Sequence, residues 1–346
     1  MPDTVRPILL SRLFGRRSAN RYYSGPVSDH FDGVRFFNPG VDTDRSFAEL
    51  LRWSFGDKGT PWPKAWPGLE ADRPPARVEG ADIRVSFIGH ASFLVQTAGL
   101  NLLIDPVYAE RASPVGFAGP KRVNPPAIAF ADLPRIDWLL ISHNHYDHMD
   151  LGFIRQLWRR DRPRLATPLG NDTIIRRAVP EIVATVGDWG DRLALGGGVD
   201  LFLEPTQHWS ARGMGDRRHA LWAAMVIATP GGKVYFAGDT GFGGGWAARI
   251  IRERHPDLRL GLIPIGAYEP RWFMHPQHVN PEEAVALYEI LRPREALGYH
   301  WGTFRLTNEP IDEPMTGLAQ ALAARDIAPE RFVAARPGLV WRAAEA

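Results

Sequence analysis

Six consecutive residues, His143-Asn144-His145-Tyr146-Asp147-His148, place three imidazoles and one carboxylate in a single short segment. On a loop leaving a strand, His143 and His145 can turn to one point while Asp147 and His148 turn to another a few ångströms away, the arrangement two adjacent cations need. Each point is short of ligands, and three later residues at strand ends can complete them: His208 in Thr206-Gln207-His208, Asp239 in Gly238-Asp239-Thr240 and His300 in Tyr299-His300-Trp301. A carboxylate can bridge. Asp239 alone would also suit a turn, since Gly-Asp-Thr-Gly is good turn chemistry, but its place after an apolar strand favours the ligand reading. Burying so many imidazoles beside carboxylates without a metal would leave polar groups unpaired. The chain has no cysteine, so a metal must use His, Asp or Glu. Two cations sharing a water lower its pKa toward neutrality, which supplies hydroxide as a nucleophile, and they grip phosphate oxygens. His30, His219, His255 and His275 stand apart and are read as surface or hydrogen-bonded core residues.

The elements that must hold these residues follow from the apolar pattern. Residues 83–88, 93–97 and 100–104 are short apolar runs with Gly-containing turns, a strand meander, and 138–141 is a fourth run that ends at the cluster. Asp150 can cap a helix over 151–158, and strand-like runs follow at 201–203, 223–227, 234–237 and 260–264. Asn280, Pro281 and Glu283 form a cap ahead of a helix over 284–291, after which 296–299 reads as a strand that delivers His300. Residues 1–75, rich in Pro, Gly and Trp, read as an irregular extension wrapping a domain formed by 76–346.

Bulk properties narrow the function classes. At 346 residues, 45% hydrophobic and 23% charged, the chain can bury a large core and is not disordered. A net charge of +2 gives no strong field for a polyanion, so no nucleic-acid partner is expected. Residues 1–22 carry Arg6, Arg12, Arg16, Arg17 and Arg21 among Ile8, Leu9, Leu10, Leu13 and Phe14. That segment is too interrupted for a membrane span and poor as a signal peptide; it reads as a packed extension or as a basic surface touching anionic lipid. A cytoplasmic protein, peripheral to the membrane if that surface is used, fits the absence of disulfides. A homodimer is compatible with all of this.

The His-x-His-x-Asp-His motif followed by His208, Asp239 and His300 resembles the metallo-β-lactamase superfamily. Within it, the chain is similar to the N-acylphosphatidylethanolamine-hydrolysing phospholipase D enzymes and their bacterial relatives, over roughly residues 85–305. The segments that carry this include Gly89-His90-Ala91, Asp105-Pro106, Gly119-Pro120-Lys121-Arg122, Gln207-His208-Trp209 and above all the run from Pro264-Ile265-Gly266 through Tyr268-Glu269-Pro270-Arg271-Trp272-Phe273-Met274. The resemblance implies an αββα sandwich of α/β (α+β) class with two zinc ions at one edge. His143, His145 and His208 would take one ion, Asp147, His148 and His300 the other, with Asp239 between them. It further implies a phosphodiesterase of phospholipase D type, acting on N-acylphosphatidylethanolamine-like lipids or another phosphodiester. His278 matches an active-site histidine of the family and would join Asp147 in catalysis, donating a hydrogen bond to phosphate or a proton to the leaving group. His90 and Asp105 would fix the tautomers and orientation of the ligands. Tyr268 and Arg271 are substrate contacts by resemblance, or structural residues of their own stretch. A β-lactamase is disfavoured, because one group of those uses a cysteine ligand and the others lack the bridging aspartate. A nuclease is disfavoured by the balanced charge. A lactonase or other ester hydrolase, and a non-catalytic binding protein stabilised by metal, remain as alternatives.

Overall fold

Ahead of the first strand the chain contributes a helix, α1 (Phe47–Phe55), set among prolines and glycines. Ser46 caps it, accepting from Glu49 N at 3.2 Å, while Glu49 reaches back to Ser46 N at 2.8 Å. A computed structural model describes residues 19–343, apart from 42, 58 and 214; most of the basic segment at 1–22 thus lies outside the described residues. The described residues from 19 to 75 are otherwise irregular and lie against the rest of the chain. His30 Nε2 meets Asp188 at 2.7 Å, Asn38 Nδ2 donates to His208 O at 2.8 Å, and Trp62 Nε1 donates to Glu309 O at 2.9 Å.

The apolar runs then pair as their alternation requires. β1 (Ile83–Gly89), β2 (Ser92–Thr97) and β3 (Leu100–Ile104) form an antiparallel meander. Its second hairpin turns on Ala98 and Gly99, both with positive φ (49° and 72°), the conformation that matches strand twist in a two-residue turn. The chain next crosses through β4 (Trp138–Leu140), α2 (Leu151–Asp161), β5 (Arg164–Pro168), α3 (Asn171–Ala178) and β6 (Ala184–Gly187), adding parallel strands beside β3. Asp150 caps α2 by accepting from Phe153 N at 2.9 Å.

A second sheet repeats the plan. β7 (Arg192–Gly196), β8 (Val199–Glu204), β9 (Ala224–Thr229) and β10 (Gly232–Phe236) are antiparallel. Then α4 (Trp246–Arg254), β11 (Leu258–Pro264), α5 (Arg271–Met274), α6 (Pro281–Leu291), β12 (Glu295–Tyr299), α7 (Glu313–Ala323) and β13 (Phe332–Ala334) supply the parallel half. Asn280 and Glu283 form the capping box of α6. Finally β14 (Val340–Arg342) crosses back to the edge of the first sheet. The strand orders are β14-β1-β2-β3-β4-β5-β6 and β13-β12-β11-β10-β9-β8-β7.

One apolar cluster, with Val85, Phe87, Phe93, Leu201, Phe236 and Leu262, fills the space between the sheets. A second packs α4, α6 and α7 on the outer face of the second sheet, and a third packs α2 and α3 on the outer face of the first. The layers are therefore αββα, as the sequence implied. The cluster at 143–148 follows β4, His208 follows β8, Asp239 follows β10 and His300 follows β12, so all sit beyond carboxyl ends of strands at one edge of the sandwich.

Candidate metal centre

The structure brings all seven proposed ligands together. His143, His145, His208 and Asp239 form one group, and Asp147, His148 and His300, joined by His90, form another; within each, the nearest donor atoms lie within 4.8 Å of one another. In the first group His145 Nδ1 is 2.9 Å from His143 Nε2 and 3.2 Å from His208 Nε2. In the second, His148 Nε2 and His300 Nε2 are 3.3 Å apart, and Asp147 Oδ2 is 3.3 Å from His300 Nε2. Asp239 lies between the groups. Its Oδ2 is 3.6 Å from His208 Nε2 and 3.3 Å from His148 Nε2, and its Oδ1 is 3.2 Å from His300 Nε2.

Tautomers are inferred from the outer partners of these rings. Ser142 Oγ has one proton and gives it to the Asp105 carboxylate, so it must accept from His143 Nδ1 at 2.9 Å. His148 Nδ1 donates to Asp105 Oδ2 at 2.7 Å, and His208 Nδ1 to Gln277 O at 3.0 Å. The lone pairs of His143, His148 and His208 at Nε2 therefore face inward. A proton on His145 Nδ1 can satisfy one of its two facing nitrogens, never both. His145 Nε2 and His300 Nδ1 are buried with no partner. Inward-facing lone pairs beside two carboxylates are what a pair of divalent cations satisfies, and this donor set fits one.

The charges agree. Burial opposes ionisation of Asp147 and Asp239, yet His148 and His300 hold both carboxyls well below their ordinary range. Burial likewise opposes charge on His148 and His300, but Asp239 and Asp147 drive the first well above the usual imidazole value and the second up to about 9. His143 and His208, pushed well down by burial, and His145, pushed to about 4, stay neutral. With protein groups alone, the two carboxylates thus draw a proton onto His148 and His300, and a cation at the middle of the site would supply that positive charge in place of those protons and free the Nε2 lone pairs.

His90 and Asp105 stand where ligand-orienting groups belong. His90 Nε2 is 3.0 Å from Asp147 Oδ2, and Asp105 ties Ser142 to His148. His90, Asp105 and His300 have positive φ (56°, 39° and 68°), a backbone shape that costs a non-glycine residue energy and persists here at the ends of strands around the site.

Above the centre opens a cavity of about 670 Å³, lined by His145, Asp147 and Asp239 at its floor and mainly by apolar side chains elsewhere. His278 lines it, its ring 5.2 Å from that of His208 and 5.6 Å from that of His300. Burial pushes His278 down to about 4, and its Nδ1 has no partner in the protein. Two arginines reach the cavity wall. Arg45 donates to Phe273 O from Nε at 2.9 Å, and Arg217 stacks 3.7 Å over Trp209 with Nε 3.1 Å from Asp44.

Tyr268 and Arg271 do not line this cavity. The Tyr268 hydroxyl donates to Glu313 at 2.8 Å on the far side of its loop, and Arg271 binds Glu283 at 2.6 Å and the carbonyl of His278 at 2.9 Å. Both brace the segment that carries His278. Conversely, the roles of Ser142, Arg45, Arg217, Trp53 and Leu306 have no trace in the motif reading; only the Ser46-x-x-Glu49 capping pattern could have announced the helix that brings Trp53 and Leu50 to the wall. The four histidines set apart are as expected: His30, His219 and His255 are buried with hydrogen-bond partners, and His275 faces Glu283 on the surface.

Residues 100–301 match the family model described as the beta-lactamase superfamily domain. The chain belongs to this superfamily. Among curated relatives of this metallo-β-lactamase-fold chain, an N-acyl-phosphatidylethanolamine-hydrolyzing phospholipase D 1 of Caenorhabditis elegans is 36% identical over 271 residues, covering 75% of this chain and 76% of that one. A UPF0173 metal-dependent hydrolase of Pyrobaculum neutrophilum is 30% identical over 232 residues, covering 67% and 89%. The solved structure of Igni18, a metallo hydrolase of Ignicoccus hospitalis, superposes with a TM-score of 0.56 at 19% identity, covering 77% of this chain and 100% of that one, which speaks to the fold alone. The chain is a metal-dependent hydrolase of the metallo-β-lactamase fold. No helix among the described residues is long and apolar enough to cross a membrane.

Proposed function

We propose that this hydrolase is a binuclear zinc phosphodiesterase of phospholipase D type, acting on N-acylphosphatidylethanolamine-like lipids. One observation carries the reading: seven candidate donors cluster at the base of a largely apolar cavity of about 670 Å³, with His145, Asp147 and Asp239 lining it, polar chemistry beneath a space suited to acyl chains. The similarity to the Caenorhabditis elegans phospholipase supports the substrate class. His143, His145 and His208 would hold one zinc, Asp147, His148 and His300 the other, and Asp239 would bridge. When bound, such a pair of ions supplies Lewis acidity toward phosphoryl oxygens and acidifies water. Nitrogen and carboxylate donors without sulfur suit zinc.

The chain's own groups do the rest. Asp105, through Ser142 and His148, presents the ligand lone pairs inward, and His90 holds one oxygen of Asp147. His278, neutral in the free site, hydrogen-bonds a phosphoryl oxygen through a ring N–H, and would hand a proton to the departing alcohol of the headgroup only once the bound phosphate's charge has drawn one onto the ring. Arg45 and Arg217 place positive charge along the path of an anionic substrate. Leu50, Leu51, Phe55 and Trp272, exposed near the cavity, suit a peripheral approach to a lipid surface.

The test is a substrate panel with and without chelation. Zinc-loaded protein is expected to release phosphatidic acid from N-acylphosphatidylethanolamine and to cleave bis-p-nitrophenyl phosphate, to lose both activities to a chelator, and to regain them with zinc. Turnover of lactones with no turnover of either phosphodiester would contradict the reading.

A further inference from the structure

Beside the centre, a partly buried arginine bonds the backbone of the ligand loop. Arg212 Nη1 donates to Asn144 O and to Met149 O, each at 2.9 Å. Its guanidinium lies 4.0 Å over the ring of Tyr146, and the Tyr146 hydroxyl donates back to Arg212 O at 2.8 Å. These contacts fall at residues 144, 146 and 149, directly after His143 and on either side of His145, Asp147 and His148. Besides the bonds of Ser142, Asp105 and His90 to its side chains, the loop is held within itself only where His148 N and Met149 N share the carbonyl of His145, at 3.1 and 2.9 Å, and among the described residues neither polar atom of the buried Asn144 side chain has a partner.

Arg212 is itself anchored. Its backbone N–H donates to both Asp216 oxygens at 3.1 and 3.3 Å, Gly213 N donates to Asp216 at 2.8 Å, and the Tyr22 hydroxyl donates to Asp216 Oδ2 at 2.7 Å. Burial and the Asp216 bond push the Tyr22 phenol up to about 12, so it remains a donor at working pH. Thr173 Oγ1 in α3 fixes Tyr22 in turn, donating to its carbonyl at 3.0 Å.

We propose that Arg212 is a positioning residue: it staples the two ends of the 143–148 loop in the ligating shape, and Tyr22, from the N-terminal segment, secures it through Asp216. The inference rests on the metal-binding reading of that loop. A lysine cannot replace the arginine fully, because its ammonium is a point donor with no plane to stack on Tyr146.

The experiment measures zinc release from the full-length zinc-loaded protein to a chromogenic chelator, together with the visible spectrum of the cobalt-substituted form. Arg212→Met is expected to release zinc ~10-fold faster or more and to alter the cobalt spectrum, the scale on which groups that orient ligands act. Arg212→Lys should fall between it and the wild type, and Tyr22→Phe, lacking a single hydroxyl, should speed release about threefold, part of what a hydrogen bond to a carboxylate contributes, since Tyr22 reaches the loop only through Asp216 and Arg212. A purely structural arginine would lower the melting temperature and leave release and spectrum unchanged in the folded protein; that result in Arg212→Met overturns the proposal. Should that variant fail to fold, unchanged release in Tyr22→Phe overturns it. A wild-type protein that takes up no zinc sinks the metal reading and this one together, whereas normal uptake with unchanged variants sinks this one alone.

Discussion

The Asp105 carboxylate decides which way two histidines face. It takes the one proton of Ser142, so His143 must donate outward to Ser142, and it accepts directly from His148, so the Nε2 of each ring is turned to the centre. Asp105→Asn would offer an amide where a carboxylate now organises three partners. We expect zinc affinity to fall ~10- to 100-fold, with activity falling in step at limiting zinc and partly recovering in excess zinc. Unchanged affinity in a competition titration would show that Asp105 does not set the ligands. At this scale the gathering of the seven candidate ligands was legible in the sequence, because six dense residues and three strand-end partners have few other uses. Ser142 was not, since a serine closing a strand looks like any other until its neighbours are in place. Tyr268 and Arg271 mark the opposite limit. Their stretch carries the resemblance, yet their polar ends are turned to Glu313 and Glu283, which no pattern in the chain foretold.

Elements are legible when their own sequence announces their ends. α6 opens on Asn280 with a capping box and α2 on Asp150, and both stand where the sequence put them. α3 opens on Gly170 without a side-chain cap, and β13 and β14 are three residues long, so packing rather than local preference defines them. α1 has its capping box, but the surrounding Pro and Gly drown it. That helix matters to the cavity. The Trp53 ring lies 5.2 Å from that of Phe273 and parallel within 1°, forming one wall. Trp53→Ala should therefore raise KM for a long-chain lipid by ~10-fold or more, the scale on which an aromatic wall and the apolar area it covers stabilise a bound chain. Steady-state kinetics on bis-p-nitrophenyl phosphate, too small to need the wall, should barely change; an equal loss on both substrates would mean that α1 shapes the centre itself.

For the molecule as a whole, the αββα sandwich came from the family resemblance and an irregular wrap over residues 1–75 from its Pro, Gly and Trp content, while the particular contacts of that wrap could not be read, because pairs such as His30–Asp188 and Trp62–Glu309 lie far apart in the chain. His30 is one of the clasps. Burial opposes its charge, but bonds to Asp188 and Asp29 outweigh burial and raise it above its ordinary value of 6.5. A group raised by folding stabilises fully below its unfolded value and loses that contribution as pH climbs through the folded one. The melting temperature of His30→Gln should accordingly fall further below the wild type at pH 6 than at pH 9. A gap that is constant, or wider at pH 9, would show that the imidazolium is not the clasp.

Removing metal acts on the same scale, since an ion held only by the folded chain stabilises it by mass action, ~4 kcal/mol at a thousandfold excess over Kd. Elemental analysis of the zinc-loaded, dialysed protein is the most direct test of the centre. We predict close to two zinc ions per chain in the wild type and a marked loss in Asp239→Asn, which keeps the shape of the proposed bridge but replaces one carboxylate oxygen with an amide nitrogen that cannot ligate. A wild type that retains none, or an Asp239→Asn variant that still retains two, would contradict the account.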